Sequence, residues 1–206
     1  MRRITATLVA DGSSDRLLVP LIELLFEAHT DLAYQVKCAE DLPPISHGLG
    51  ARIDSALELF PCDFLFVHRD AESVEAAVRR QEIETSWQDS QKSAILICLV
   101  PVRMTEAWLV ANEEPIRAAV GNPNGKDPLK LPAVRDIESL PDPKAILFAA
   151  LKAATGRNAS RKRRFNPHQF RHRVSELTVD LEPLRKLSSF RHLEAQVRMH
   201  LAEPRG

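Results

Sequence analysis

The chain has 206 residues, 44% hydrophobic and 27% charged, and its 28 basic and 28 acidic side chains leave no formal net charge. That composition is of an ordinary globular protein and excludes a disordered one, and no apolar run approaches the ~20 residues that a bilayer span requires. The early acids Asp11 and Asp15 argue against a signal peptide, and three scattered cysteines, Cys38, Cys62 and Cys98, point to reduced thiols in a cytoplasmic protein, not to a disulfide frame or a zinc site.

The first half alternates strand-like and helix-like segments. Ile4 to Ala10 is a short β-rich run, followed by the turn Asp11-Gly-Ser-Ser14. From Asp15 to Ala28 the leucines 17, 18, 21, 24 and 25 share one helical face. Tyr34 to Cys38 reads as a second strand, Leu42 to Gly48 as a loop, and Leu49 to Phe60 as a helix with Ile53, Ala56, Leu57 and Phe60 inward. Phe64 to Val67 is a third strand, Ser73 to Trp87 a polar helix, and Ala94 to Val100 a fourth strand. The third and fourth strands are nearly continuous apolar runs, as in parallel sheets covered on both faces. Alternating strands and helices imply βαβ crossovers and an α/β layer architecture.

The second half changes character. After Thr105 to Ala111 comes the loop Gly121-Asn-Pro-Asn-Gly-Lys-Asp-Pro128. Beyond it only helices are predicted, over Pro143–Thr155, Pro167–Leu177 and Leu181–Leu201. The expected organisation is an α/β domain over residues 1–112, a mainly parallel sheet flanked by helices. A helical extension, residues 113–206, packs on it and does not stand as an independent unit.

In parallel α/β sheets, ligands bind beyond the carboxyl ends of the strands. Acids fall at three such ends: Asp11 after the first strand, Asp70 and Glu72 after the third, Glu106 after the fourth. Carboxylates gathered at one sheet edge repel each other unless a cation neutralises them, and their hard oxygens suit Mg²⁺ or Mn²⁺. Each has a structural alternative. Asp11 can cap a turn or helix, Asp70 can cap the helix that follows it, Glu72 and Glu106 can be first-turn acids, and Asp15 can belong to a first helical turn.

A second constellation is basic. Between Arg157 and Arg173 no acid occurs, and Arg161, Lys162, Arg163, Arg164 and Arg171 are interleaved with Phe165 and Phe170. Such a stretch can grip phosphate backbones and stack on bases; the alternative is a solvated loop balanced by nearby acids. His168 and His172, four apart, have the spacing of a zinc pair without an evident third ligand. No Gly-x-Ser-x-Gly elbow occurs, and the Gly12-Ser-Ser turn lacks the Gly-Lys-[Ser/Thr] ending of a phosphate loop.

The succession of strand, Asp11-Gly-Ser-Ser-Asp15, helix, and then strand and His68-Arg-Asp-Ala-Glu72 resembles the Toprim fold of topoisomerases, primases and nucleases of the overcoming-lysogenization-defect type. With Val102–Ala111 and Ser189–Glu194 added, the chain resembles the bacterial domain-of-unknown-function family 4276. The resemblance implies a Toprim-like sheet and a metal-dependent phosphodiesterase, a nuclease on DNA or RNA. Asp11 would stand where such enzymes place a Glu, and Asp70 where they place the second acid of an Asp-x-Asp pair. His68 replaces the first acid of that pair and would join Asp11, Asp70 and Glu72 as a metal ligand, its imidazole suiting Mn²⁺ better than Mg²⁺; Glu72 would supply the missing carboxylate, with Glu106 and Asp15 as additional or supporting groups. The resemblance further implies nucleic acid as partner, an ATPase encoded nearby, and a role in defence against phage or plasmids. The competing expectation is a non-catalytic relative that binds nucleic acid or scaffolds an ATPase.

Overall fold

A computed structural model describes residues 3–88, 93–156 and 165–202. Four strands, β1 (Arg3–Val9), β2 (Ala33–Cys38), β3 (Phe64–His68) and β4 (Ile95–Leu99), form one sheet in the order β2-β1-β3-β4. Every pairing is parallel, with Ala6 opposite Phe64 and Val67 opposite Cys98. The described helices are α1 (Leu18–His29), α2 (Leu49–Leu59), α3 (Ala76–Gln88), α4 (Glu106–Leu109), α5 (Glu113–Ala119), α6 (Pro143–Ala154), α7 (Arg171–Glu176) and α8 (Ser188–Ala202).

Side-chain alternation explains why the strands read as continuous apolar runs. Phe64 and Phe66 enter one hydrophobic cluster with Leu8, Leu99 and α1, while Leu65 and Val67 enter another with Cys98 and α2. Both faces of β3 are therefore buried, so neither register of a period-2 pattern is polar. The first cluster runs on into the second half through Leu147, Leu151, Val174, Leu193 and Val197. Helices α6, α7 and α8 thus share one core with the α/β part. Phe26 sits at its centre, edge-on to Phe64 and Phe66 at ring separations of 5.5 and 5.9 Å; burying each such ring contributes on the order of 2 kcal/mol.

The second half differs in detail from the helices predicted for it. The single helix expected over Leu181–Leu201 is a 3₁₀ turn at Leu184–Lys186, an extended Leu187, and then α8. The break follows from Glu138, whose carboxylate accepts hydrogen bonds from the backbone N–H and the hydroxyl of both Ser188 and Ser189, at 2.6 to 2.9 Å. These are N–H groups left free at a helix start, so the acceptor fixes where α8 begins. The segment expected as one helix over Pro167–Leu177 is a 3₁₀ turn, Pro167–Gln169, followed by α7. Helix α5 was not predicted; Asn112 caps it by accepting from the N–H of Glu114.

Two further contacts tie α8 to the rest. Glu194, nearly buried, accepts from Arg185 at 2.8 and 3.0 Å and pairs with His29 of α1 at 2.8 Å. The Gln196 amide accepts from Cys98 N–H and donates to Cys98 C=O, at 2.9 and 3.0 Å, and so satisfies part of the open edge of β4 as a neighbouring strand would. The three cysteines are unpaired, and burial pushes the Cys98 thiol up to about 12. No described helix is long and apolar enough to cross a membrane.

Candidate functional site at the sheet switch point

In this strand order the chain leaves β1 in one direction toward β2 and leaves β3 in the other toward β4. The α1 crossover covers one face and the α2 and α3 crossovers the other, which parts the loops following β1 and β3. A cleft of about 310 Å³ opens there, lined by Asp11, Gly12, Ser14, Asp15, His68, Arg69, Asp70, Glu72 and Arg79. Asp11, Asp15, His68, Asp70 and Glu72, the acids and imidazole singled out after the first and third strands, line this one cavity.

His68, the last residue of β3, lies at its floor with 1% of its side chain exposed. Its Nε2 is 3.2 Å from Asp70 Oδ1 and 3.2 Å from the Thr105 hydroxyl, which itself donates to Asp70 Oδ1 at 3.3 Å. Its Nδ1 is 3.7 Å from Asp15 Oδ2 and is buried with no hydrogen-bond partner. Each ring nitrogen thus faces a carboxylate. Asp15 is held in turn by Gly12 N–H at 3.1 Å and the Ser14 hydroxyl at 3.2 Å.

The remaining acids meet arginines. Arg69 reaches Asp11 at 3.2 Å and Glu82 at 2.9 Å; Arg79 reaches the other oxygen of Glu82 at 2.9 Å and Glu72 at 3.4 Å. Burial pushes the Asp11 carboxyl above its ordinary value, and Asp15 adds to that rise against the opposing pull of Arg69, His68 and Arg52. At the rim, Glu72 and Arg103 are non-glycine residues in the left-handed region, at φ of 53° and 67°. Each binds the other's backbone: Glu72 N–H donates to Arg103 C=O at 2.8 Å, and the Arg103 guanidinium donates to Glu72 C=O at 3.2 Å. Left-handed backbone at such residues costs about 1 kcal/mol or more each and gathers at ligand sites.

The lining fits a divalent cation in charge and donor type. Four carboxylates stand against two guanidiniums, hard oxygens suit Mg²⁺ or Mn²⁺, and the unpartnered His68 nitrogen belongs to a side chain that also suits Mn²⁺. The donors are not converged, however: among the described residues no three His, Cys, Asp or Glu side chains are grouped so as to hold a metal. Arg69 and Arg79 stand beside Asp11 and Glu72 instead.

Glu106 is not among the residues lining this cleft. It is 5% exposed at the start of α4, paired with Arg171 at 2.5 Å and with Lys144 at 3.8 Å. Two residues with separate predicted roles, a supporting acid and a nucleic-acid contact, therefore meet each other and join α4, α6 and α7. Arg161, Lys162, Arg163 and Arg164 lie outside the described residues. Phe165 and Phe170 stack on each other at 4.6 Å, His168 packs edge-on against Phe148 at 4.5 Å, and His172 pairs with Glu176 at 3.1 Å.

Beyond Arg69, Arg79 and Arg103, three further positions that the sequence did not single out shape the site. Thr105 completes the bonds to Asp70. Glu82 holds both arginines. Arg52 is buried in α2 and donates to Ala10 C=O at 2.6 Å and to Pro43 C=O, joining the loop after β1 to the loop before α2. Arg52 did leave a signal, since it is three residues after Leu49 and one before Ile53, on the inward face of its helix. Comparison with family models, with curated proteins and with solved structures finds no match to this chain.

Proposed function

We propose that the chain is a metal-dependent phosphodiesterase, a nuclease on DNA or RNA, and that the switch-point cleft is its active site. The observation that carries this reading is the excess of carboxylates, Asp11, Asp15, Asp70 and Glu72 against Arg69 and Arg79, in the crevice where parallel sheets bind their ligands. Asp11, Asp15 and Asp70 would hold the ion, with Glu72 at the rim. A bound Mg²⁺ or Mn²⁺ supplies polarisation of a phosphoryl oxygen and an activated water. His68 and Thr105 fix Asp70 through the same oxygen, Oδ1, and so orient the carboxylate from inside the fold. The strained pair Glu72 and Arg103 holds the rim of the cleft in one shape. The resemblance to Toprim proteins encoded beside ATPases supports extending the proposal to phage or plasmid defence with an ATPase partner.

The test is cleavage of single- and double-stranded DNA and RNA with Mn²⁺ or Mg²⁺, by the native protein and by Asp70→Asn. The expected outcome is metal-dependent cleavage that falls on the order of 10³-fold in the variant. Equal cleavage by both proteins contradicts the assignment. A second reading, a non-catalytic nucleic-acid-binding or scaffold subunit of an ATPase complex, is favoured by the arginines already seated on Asp11 and Glu72. It requires that Asp70→Asn leave every activity of the complex intact.

A further inference from the structure

Two arginines are out of place in a site for a cation alone. Arg69 and Arg79 each sit 2.9 Å from a different oxygen of Glu82, so one carboxylate of α3 holds two guanidiniums together at one wall of the cleft. Their side chains are only 17% and 20% exposed. The Nε of each is buried without a hydrogen-bond partner, as is His68 Nδ1. Arg69 Nε comes within 3.2 Å of Asp11 Oδ2, yet the approach is not one along which a hydrogen bond forms. Arg79 meets Glu72 only at 3.4 Å, through a carboxylate that is 71% exposed. Three buried polar atoms without a hydrogen-bond partner thus belong to side chains that line this one cleft.

We infer that Arg69 and Arg79, positioned by Glu82, are the phosphate-binding half of this cleft, and that an entering phosphate takes Arg69 from Asp11. A phosphate presents several acceptor oxygens around one centre and can engage two guanidiniums at once, which a single planar carboxylate approaching Arg69 from one side does not. The ion pairs given up are the poorly aligned one to Asp11 and the exposed one to Glu72; the contacts to Glu82 remain and keep both arginines in place. The exchange releases the Asp11 carboxylate when a phosphate arrives. The role of the released carboxylate rests on the phosphodiesterase reading, whereas the anion site needs only the two arginines.

The test is calorimetric titration of inorganic phosphate, with and without Mg²⁺, into the native protein and into Arg69→Gln, Arg79→Gln and Asp11→Asn, with circular dichroism as the check on folding. Phosphate affinity should fall about tenfold or more in each arginine variant, since a lost charged hydrogen bond is worth ~1.5–3 kcal/mol. Arg79 lies on the outer helix α3, so its variant tests the site even if Arg69→Gln does not fold. Without Mg²⁺, Asp11→Asn should bind phosphate several-fold more tightly, because it removes both a competitor for Arg69 and a negative charge. Unchanged affinity in Arg79→Gln, weaker binding in Asp11→Asn without Mg²⁺, or no binding by the native protein under either condition overturns the inference. Mg²⁺ titration of the same proteins separates the two claims. Arginine-dependent phosphate binding without Mg²⁺ binding would remove the metal reading and keep this one; Mg²⁺ binding with arginine-independent phosphate binding would do the reverse.

Discussion

Asp11 and Glu138 are both half-buried carboxylates, and their surroundings treat them in opposite ways. Burial works to raise each. At Glu138 it is outweighed by four hydrogen bonds from Ser188 and Ser189, which hold the carboxyl below its ordinary value. At Asp11 burial wins, and the nearby Arg69 approaches without forming a hydrogen bond. Glu194 resembles Glu138, since Arg185 and His29 outweigh its burial and lower it. Glu138 and Glu194, which hold the C-terminal half together, are fully hydrogen-bonded, whereas Asp11 has only the misaligned approach of Arg69.

Substitutions at the two kinds of acid should have separable effects. The largest expected effect is on function: Asp70→Asn should lower metal-dependent cleavage on the order of 10³-fold while leaving the melting temperature nearly unchanged. A large loss of stability in that variant would place Asp70 among the structural acids. Glu194→Ala should lower unfolding free energy by about 2–3 kcal/mol, measured by urea denaturation, because it strands His29 and frees Arg185.

Glu138→Ala should cost about 2 kcal/mol at neutral pH, because the N–H groups opening α8 lose their acceptor. This loss carries a pH signature. The folded-state value of Glu138 lies below the ordinary 4.5, so its contribution is present above that value and disappears as pH falls through the lowered one. Native and Glu138→Ala stabilities should therefore converge in acid; a constant difference down to pH ~3 would contradict the assignment. Gln196→Ala should cost about 1 kcal/mol by uncovering the edge of β4. Asp11→Asn has the smallest expected effect and the opposite sign. The raised Asp11 disfavours the folded state as pH rises through its folded-state value, so at neutral pH the variant should melt about 1–2 °C higher.

The α/β half was legible because local pattern and tertiary role coincide there. Phe64 to Val67 is apolar on both faces because both faces are covered, and Asp11 and Asp70 are polar where strands surface. The C-terminal half was less legible because its element boundaries are set at long range. Nothing near Leu187 announces that Glu138, fifty residues earlier, determines the start of α8. The pairing of Glu106 with Arg171 was hidden for the same reason, being sixty-five residues apart. Within the cleft, residue types were readable but partnerships were not: that Arg69 would stand beside Asp11, or that Asp15 would face His68, depends on the parallel register of β1 and β3.

Whether the switch-point carboxylates hold a divalent cation is read out by calorimetric titration of Mn²⁺ and Mg²⁺ into the native protein and into Asp70→Asn. Cleavage depends on finding the right substrate and partner, and metal binding depends on neither. Binding by the native chain should be saturable and should be lost or weakened at least tenfold in the variant. Absence of binding by the native chain, or equal binding by both proteins, would contradict a cation site there.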